Sequence, residues 1–466
     1  MKRYFVGVLF FTWLALLAVG LSRHVGSPLV FIVFSLVSLL LLLDCFRRSV
    51  SVGYFFLVIF LTLGFWGKCV LHLLLNYKYL EPVGFFNDSP QAWDEVMWVS
   101  TVGLLGVGLG RVFFMQYENR YGSTNRSVIV PLVPAWYPPL RRWLWALTWV
   151  SIFGISLSNL VFDFAQSGLL PKIVLPWPMN GLIAWLLGFG LIVSVLVLTG
   201  WDHALGFSRI GYCAILVEGA MSGISSLSRA TYIFHTLPAL YIVIKKRPTY
   251  RRIVGIVVVW GTVFVASHAV VMGFRYSETS PIYASSNRSI ETKDLGSYLM
   301  VLVEKSSKLI VDRWIGLEGV MAVVAYPQKS AELFKTALYE RRVRGHVDLY
   351  TSEIARTGLT DNDMRNFQYA TIPGGVAFFY YTGSFCWVLA GMSILTIMLL
   401  VSERVVLFLT RNPLVYTFWG MLAAQAVASF GLGVGQQLTY YIACFTAMGM
   451  VWLVQTLSPP VKPMKV

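Results

Sequence analysis

Long apolar runs alternate with short polar connections along this chain, and the runs have the length a bilayer requires. Apolar stretches extend from Tyr4 to Leu21, Leu29 to Phe46, Val52 to Leu75 (with Lys68 inside it), Met97 to Met115, Leu144 to Val161 and Leu182 to Leu198. They continue from Ile210 to Leu227, Arg229 to Ile244 and Ile253 to Val271, and the chain closes with Val376 to Val401, Leu414 to Leu432 and Leu438 to Leu457. Each is near the roughly 20 residues that carry a helix across the hydrocarbon core, so the pattern predicts an all-α protein with about twelve spanning helices. One long polar segment, Met272 to Tyr369, interrupts the alternation. It divides the chain into residues 1–272, residues 273–370 and residues 371–466.

The polar segment has helical patterns of its own. Between Leu299 and Val323, Leu302, Leu309 and Ile310 alternate with Lys305, Lys308 and Asp312 at helical spacing. Ala331 to Val343 places Leu333, Leu338 and Val343 on one face, and Thr371-Ile-Pro-Gly-Gly375 breaks the chain before the next span. These features predict amphipathic helices forming a partly helical cap on the membrane surface. A segment this long, with charges of both signs, is a working part rather than a linker.

Composition narrows the class. With 57% hydrophobic and 13% charged residues and a mean hydropathy of +0.67, the chain is a polytopic membrane protein and not a soluble enzyme. The net charge of +15 does not point to nucleic acid, because the basic residues sit in short connections. Arg47-Arg48, Arg120, Arg126, Arg141-Arg142, Lys245-Lys-Arg247, Arg251-Arg252, Arg404 and Arg411 mark the cytoplasmic side by the positive-inside rule. Both termini are then cytoplasmic, and the polar segment faces outward. The five cysteines lie in or beside apolar runs, and the six histidines include no H-x-x-x-H pair, so neither a disulfide framework nor a metal site is expected.

Candidate chemistry gathers on the outer side. Ser225-Ser-Leu-Ser-Arg229 lies at a turn between two spans. Arg229 there is either an interfacial anchor or part of a polar pocket, in which hydroxyls and a guanidinium suit phosphate oxygens. Tyr232 lies close to it, and His235, further along, reads as a packing histidine before a base. Asp312-Arg313-Trp314 with Gly316, Glu318 and Gly319 joins charge to an aromatic surface: Trp314 could stack a sugar, and Glu318 could take a proton from an incoming hydroxyl. The alternative is an amphipathic helix whose charges pair in water. Arg275, Arg288, Arg341, Arg342 and Arg344 could bind phosphate or contact lipid headgroups, and His346 could titrate against Asp348. Asp361-Asn-Asp363 has the spacing of a metal-binding acidic pair but reads as a helix cap. If the substrate is a lipid-linked pyrophosphate, fixed guanidinium groups can stabilise the charge on its leaving group without a metal, and one carboxylate or imidazole completes the set.

In its layout, its Ser228-Arg229 element opening a helix and its Gly374-Gly-Val-Ala-Phe-Phe-Tyr-Tyr-Thr-Gly-Ser384 stretch, the chain resembles the bacterial O-antigen polymerases of the Wzy type, within the wider polymerase and ligase group of membrane glycosyltransferases. The resemblance implies an enzyme of the bacterial inner membrane, without metal or cofactor. It would join undecaprenyl-pyrophosphate-linked oligosaccharide units on the periplasmic face for O-antigen or exopolysaccharide synthesis. It implies Arg229 and Arg313 as pyrophosphate ligands, and a chain-length regulator and a flippase as partners. The Arg-x10-Gly pattern of some members is absent from the long loop: no Gly stands at that distance from Arg275, Arg288 or Arg313. An O-antigen ligase, which differs in acceptor, and a flippase of lipid-linked oligosaccharides are the competing readings. A flippase would spread polar residues through its spans and show two related halves.

Overall fold

The computed structural model describes residues 2–46, 51–76, 79, 81–121, 131–207, 209–245, 249–286, 311, 314–343, 345–365 and 371–459, with the backbone alone at 2–10, 121, 209 and 276–286. Among these residues the regular structure is helical. Helices α1 (Lys2–Arg23), α2 (Pro28–Cys45), α3 (Val52–Leu75), α4 (Pro90–Tyr121), α5 (Tyr137–Phe162), α6 (Met179–Ala204), α7 (Arg209–Ser225), α8 (Arg229–Lys245) and α9 (Tyr250–Ser286) precede or open the polar segment. Within it lie two short helices, α10 (Leu317–Ala325) and α11 (Ala331–Tyr339). Then follow α12 (Gly375–Phe379), α13 (Phe385–Thr410), α14 (Pro413–Ala428) and α15 (Val434–Thr456).

Eight of the described helices are long and apolar enough to cross a membrane, and three shorter apolar helices, Phe11–Arg23, Ile210–Ser225 and Pro413–Ala428, accompany them. Their ends are encoded locally. Ser51 Oγ accepts the Tyr54 N–H at 3.1 Å, and Asn412 Oδ1 accepts the Leu414 N–H at 2.9 Å with Pro413 in the first turn. Asn76, Asp163 and Arg411 take left-handed conformations that stop α3, α5 and α13. Single π turns occupy Leu63–Gly67 in α3 and Leu186–Gly190 in α6.

Close packing joins the spans. Gly103 of α4 leaves room for Val376 of α12, and Gly106 and Gly110 for Met392 and Thr396, so α4 and α13 meet almost backbone to backbone. Ser393 Oγ donates to the Gly106 carbonyl at 2.9 Å across that seam. By contrast, α9 turns Val254, Val258, Val265 and Val270 outward, a surface suited to lipid.

Polar contacts sort the helix ends onto two faces. On one, Asp44 pairs with Arg111, Glu118 pairs with Arg404, the Gly53 N–H donates to Glu403 Oε1 at 2.6 Å, and Asn412 Nδ2 donates to the Leu196 carbonyl at 2.9 Å. Buried Asp202 of α6 lies there too. It accepts from Tyr137 Oη at 2.7 Å, from Arg141 Nε at 2.6 Å and Nη2 at 2.8 Å, and from Trp145 Nε1 at 3.0 Å. The opposite face carries the polar segment. Arg23 donates to the last carbonyls of α3, the Ser27 N–H to Asp94, Tyr380 Oη to Glu95, the Gly84 N–H to the Ala355 carbonyl, and Gln436 to the Arg342 carbonyl.

Three expectations are revised. The span anticipated at Val376 to Val401 is two pieces, because Gly383 turns left-handed at φ +72° and Ser384 starts a new helix. The short α12 packs inside the protein, and the long helix α13 begins at Phe385 and runs on to Thr410. Nor is the helix around Glu318 an amphipathic surface helix. Leu317-Glu-Gly-Val-Met-Ala-Val-Val324 is buried on every side, as a sequence apolar all round requires. The stretch Leu299 to Ile310 lies outside the described residues. The helix expected over Ala331 to Val343 stops at Tyr339: Leu333 and Leu338 turn inward with Ala337, and Glu332 and Lys335 outward, but Val343 lies beyond the helix and is exposed.

Candidate functional site

The segment after α9 returns to the bundle at Trp314, and glycines make the return possible. Gly64, in the π turn of α3, lies directly under the Ile315 carbonyl, and Gly319 lies under the Pro373 carbonyl; any side chain at either would collide with backbone. Gly316 takes φ +157°, a conformation other residues rarely adopt, to pass Gly64.

This approach seats a carboxylate on a lysine inside the protein. Lys68, 1% exposed, forms an ion pair with Glu318, 4% exposed, and its Nζ donates to the Trp314 carbonyl at 2.9 Å. A cation within an apolar run needs such partners. Burial pushes the Glu318 carboxyl up to about 7 against the opposing pull of Lys68, with the Glu81 charge adding to the rise. A carboxyl poised near neutrality can take or give a proton. The Trp314 ring packs over Gly67, and its carbonyl is committed to Lys68.

A second group surrounds the turn between α7 and α8. Arg229 opens α8, half-buried, and its charge reaches His268 of α9. Arg275, near the far end of α9, donates from Nε to the Leu227 carbonyl and from Nη2 to the Ser167 carbonyl, both at 2.9 Å. The Tyr232 hydroxyl is buried and donates to the Trp260 carbonyl at 2.9 Å. Arg229, Tyr232 and Arg275 therefore share one region, with Arg275 and Tyr232 bonded to backbone carbonyls of the protein itself.

Arg341, Arg342 and His346 form a third group. With Glu340, Val343, Val347 and Asp348 they line a cavity of about 210 Å³. Burial lowers the Arg342 guanidinium from its usual range, with Asp348 opposing, and burial raises the Glu340 carboxyl. His346 was expected to face Asp348. Its Nδ1 instead lies 2.9 Å from Asp361 Oδ2, while Asp348 accepts from the Thr351 N–H at 2.8 Å and from Thr351 Oγ1 at 2.9 Å. Asp363 accepts from the Thr360 N–H at 2.8 Å and from its hydroxyl at 2.7 Å, capping the short turn that begins at Asp363.

Arg288, Arg313 and Arg344 lie outside the described residues. The described candidates fall into three groups on different elements: Trp314 with Glu318; Arg229 with Tyr232 and Arg275; and Arg341 with Arg342 and His346. Sequence reasoning noted Lys68 without its role, and it overlooked Glu218, whose carboxylate meets His235 inside the bundle. Both are charged residues inside apolar runs, which is the signal that marks them.

The eight long apolar helices define an all-α, multi-span membrane protein. Compared with protein-family models, with curated proteins and with solved structures, the chain matches none.

Proposed function

We propose that the chain is a membrane glycosyltransferase that polymerises undecaprenyl-pyrophosphate-linked oligosaccharide units on the periplasmic face of the bacterial inner membrane, without a metal or cofactor. In this reading about twelve helices span the bilayer. The face rich in Arg111, Arg141, Arg404 and Arg411 is cytoplasmic, and the face bearing the polar segment is periplasmic. The observation that carries the reading is the Glu318 carboxyl, held by Lys68 and titrating near neutrality where the polar segment enters the bundle. Glu318 would deprotonate the acceptor sugar hydroxyl. Arg229 and the arginines around Arg342 would balance charge on the departing pyrophosphate. A chain-length regulator and a flippase would work beside it.

The test is glycan length in a strain lacking the gene, resolved as a ladder and complemented with wild type, Glu318→Gln or Arg229→Ala. Loss of long chains with single units still exported, restored by wild type but by neither variant at equal protein level, supports the reading. Full-length polymer from Glu318→Gln sinks the role of that carboxyl, and unchanged ladders in the deletion strain sink the polymerase. One observation favours a flippase instead: the buried Glu218–His235 pair is the kind of interior polar feature a carrier uses. Loss of every outer-face intermediate in the deletion strain would select that reading.

A further inference from the structure

Glu218 of α7 and His235 of α8 meet deep in the bundle, 0% and 2% exposed, and transferase chemistry leaves them unused. Small residues bring them together. Gly219 lies against the Thr236 methyl and Gly223 against the Ser228 carbonyl, so the two helices pack closely. His235 Nδ1 is 2.9 Å from Glu218 Oε2, and Glu218 Oε1 accepts from Ser222 Oγ at 2.7 Å. His235 Nε2 is 3.2 Å from the carbonyl of Gly188, which sits in the π turn of α6, a distortion frequent at functional positions. Phe418 of α14 covers the imidazole edge at 5.9 Å. Among the ionisable groups on the elements around the pair, Arg229 at the start of α8 acts on His268 of α9, and the Tyr440 hydroxyl of α15 lies beside Gly188.

These partners count the protons. A carbonyl oxygen only accepts, so Nε2 carries a hydrogen. Oε2 and Nδ1 need one more between them, whether as carboxylate with imidazolium or as carboxylic acid with neutral imidazole. In either form the pair has bound one proton and is neutral overall. Without that proton a carboxylate would face an imidazole lone pair in a site closed to water, an arrangement that low dielectric strongly disfavours.

One hydroxyl of α7 touches the pair, and two more lie beyond it on the same side of the helix. Ser222, Ser225 and Ser226 follow Glu218 along one side of α7, at the spacing of successive helical turns, up to the face that carries the polar segment. Asn159 Nδ2 donates to Ser225 Oγ at 2.9 Å, and Ser226 Oγ donates to the Ser222 carbonyl at 2.6 Å. Ser222 is the link, since its hydroxyl touches the carboxylate.

We propose that Glu218 and His235 form an intramembrane proton-binding site that exchanges its proton through Ser222 with the face bearing the polar segment. Uptake runs along the observed hydrogen bond. The Ser222 O–H breaks and an O–H forms on Glu218 Oε1, while Ser222 Oγ bonds a proton arriving from water at that face. The proton shared at Oε2 passes to Nδ1; release is the reverse with the carboxyl turned over, and no electron moves. The site gives the protein a proton-binding function that is separate from sugar transfer.

The test is proton-detected NMR of the full chain in lipid nanodiscs with ¹⁵N-labelled histidine, the His235 signal being identified by its loss in His235→Asn. The expected spectrum shows a shared Nδ1 proton that exchanges with water and disappears in Glu218→Gln. Ser222→Ala keeps the shared proton but slows its exchange tenfold or more, and Ser222→Thr, which retains the hydroxyl, restores the rate. Absence of a shared proton in the wild type overturns the site, and equal exchange in wild type and Ser222→Ala overturns the path. The readout needs no glycan, so its failure is distinct from failure of the transferase reading.

Discussion

Lys68 Nζ donates to the Trp314 carbonyl at 2.9 Å across 246 residues of sequence, and the same amine pairs with Glu318. One buried cation thus ties the third helix to the polar segment and sets the position of its carboxylate. Removing one partner leaves the other charge buried and alone, which costs about 3–5 kcal/mol. Lys68→Ala and Glu318→Ala should each lower the thermal midpoint markedly in detergent. Lys68→Met combined with Glu318→Leu should recover much of that loss. If the double variant is as unstable as the sum of the singles, the two charges do not act as a pair.

The pH dependence of this carboxyl has opposite signs for stability and for the proposed transfer. Its folded value, about 7, lies above its ordinary value of 4.5 because burial favours the neutral acid. Its contribution to stability is therefore complete below about 4.5 and is lost as pH rises through about 7. If Glu318 is the general base of the proposed transfer it must instead be ionised, and the transfer rate should then fall about tenfold per unit below pH 7. Rates and thermal midpoints measured from pH 5 to 8 on wild type and Glu318→Gln would separate the two effects. An acid limb surviving in Glu318→Gln would assign the titration to another group.

The apolar runs made the helices legible, since length and hydropathy depend on neighbouring residues only. The ends of α3 and α7 fell close to their expected positions, whereas α9 runs on to Ser286, past the Val271 where its apolar run stops. The site was harder to read, because Lys68 and Glu318 meet through backbone that Gly64 and Gly319 allow to approach. Nothing local joins those four positions. Lys68 and Glu218 still carried a warning, as charges inside apolar stretches that must find partners. The surface cap was misjudged around α10 because Glu318 resembled a solvated charge until Lys68 supplied its counterion.

The two backbone contacts that seat the segment should be sensitive to a single methyl group. Gly319→Ala would drive a Cβ into the Pro373 carbonyl, and Gly64→Ala would do the same at Ile315. Overpacking of this kind costs about 1–3 kcal/mol. Each variant should make the segment following α9 more readily cleaved by added protease while the long spans stay protected. Unchanged cleavage would mean that the contact is not needed to hold the segment in place.

Arg275 and Arg341 should respond differently to alanine. Arg275 serves two backbone carbonyls, so its loss should cost about 2 kcal/mol of stability. Arg341 is exposed beside the small cavity, so Arg341→Ala should shift stability by no more than about 0.5 kcal/mol. If the cavity binds pyrophosphate, only Arg341→Ala should raise the lipid-linked substrate concentration needed for half-maximal rate at unchanged thermal midpoint. Equal melting losses in both variants would show that Arg341 is structural.

Asp202 offers the sharpest contrast between charge and shape. Its two oxygens accept four hydrogen bonds, from Tyr137, twice from Arg141 and from Trp145, at 1% exposure. Every neighbouring group is a donor. Asp202→Asn preserves the volume but replaces one acceptor with an N–H₂ group that must point at donors, and it leaves the Arg141 guanidinium without its carboxylate. The isosteric variant should therefore lose nearly as much stability as Asp202→Ala, about 3–5 kcal/mol. Arg141→Lys should lose less, because an ammonium keeps the charge but forfeits the two-pronged geometry. Chemical or thermal unfolding of the three variants in one detergent would rank them. A mild Asp202→Asn would show that packing of α5 against α6, and not the anion, holds that face together.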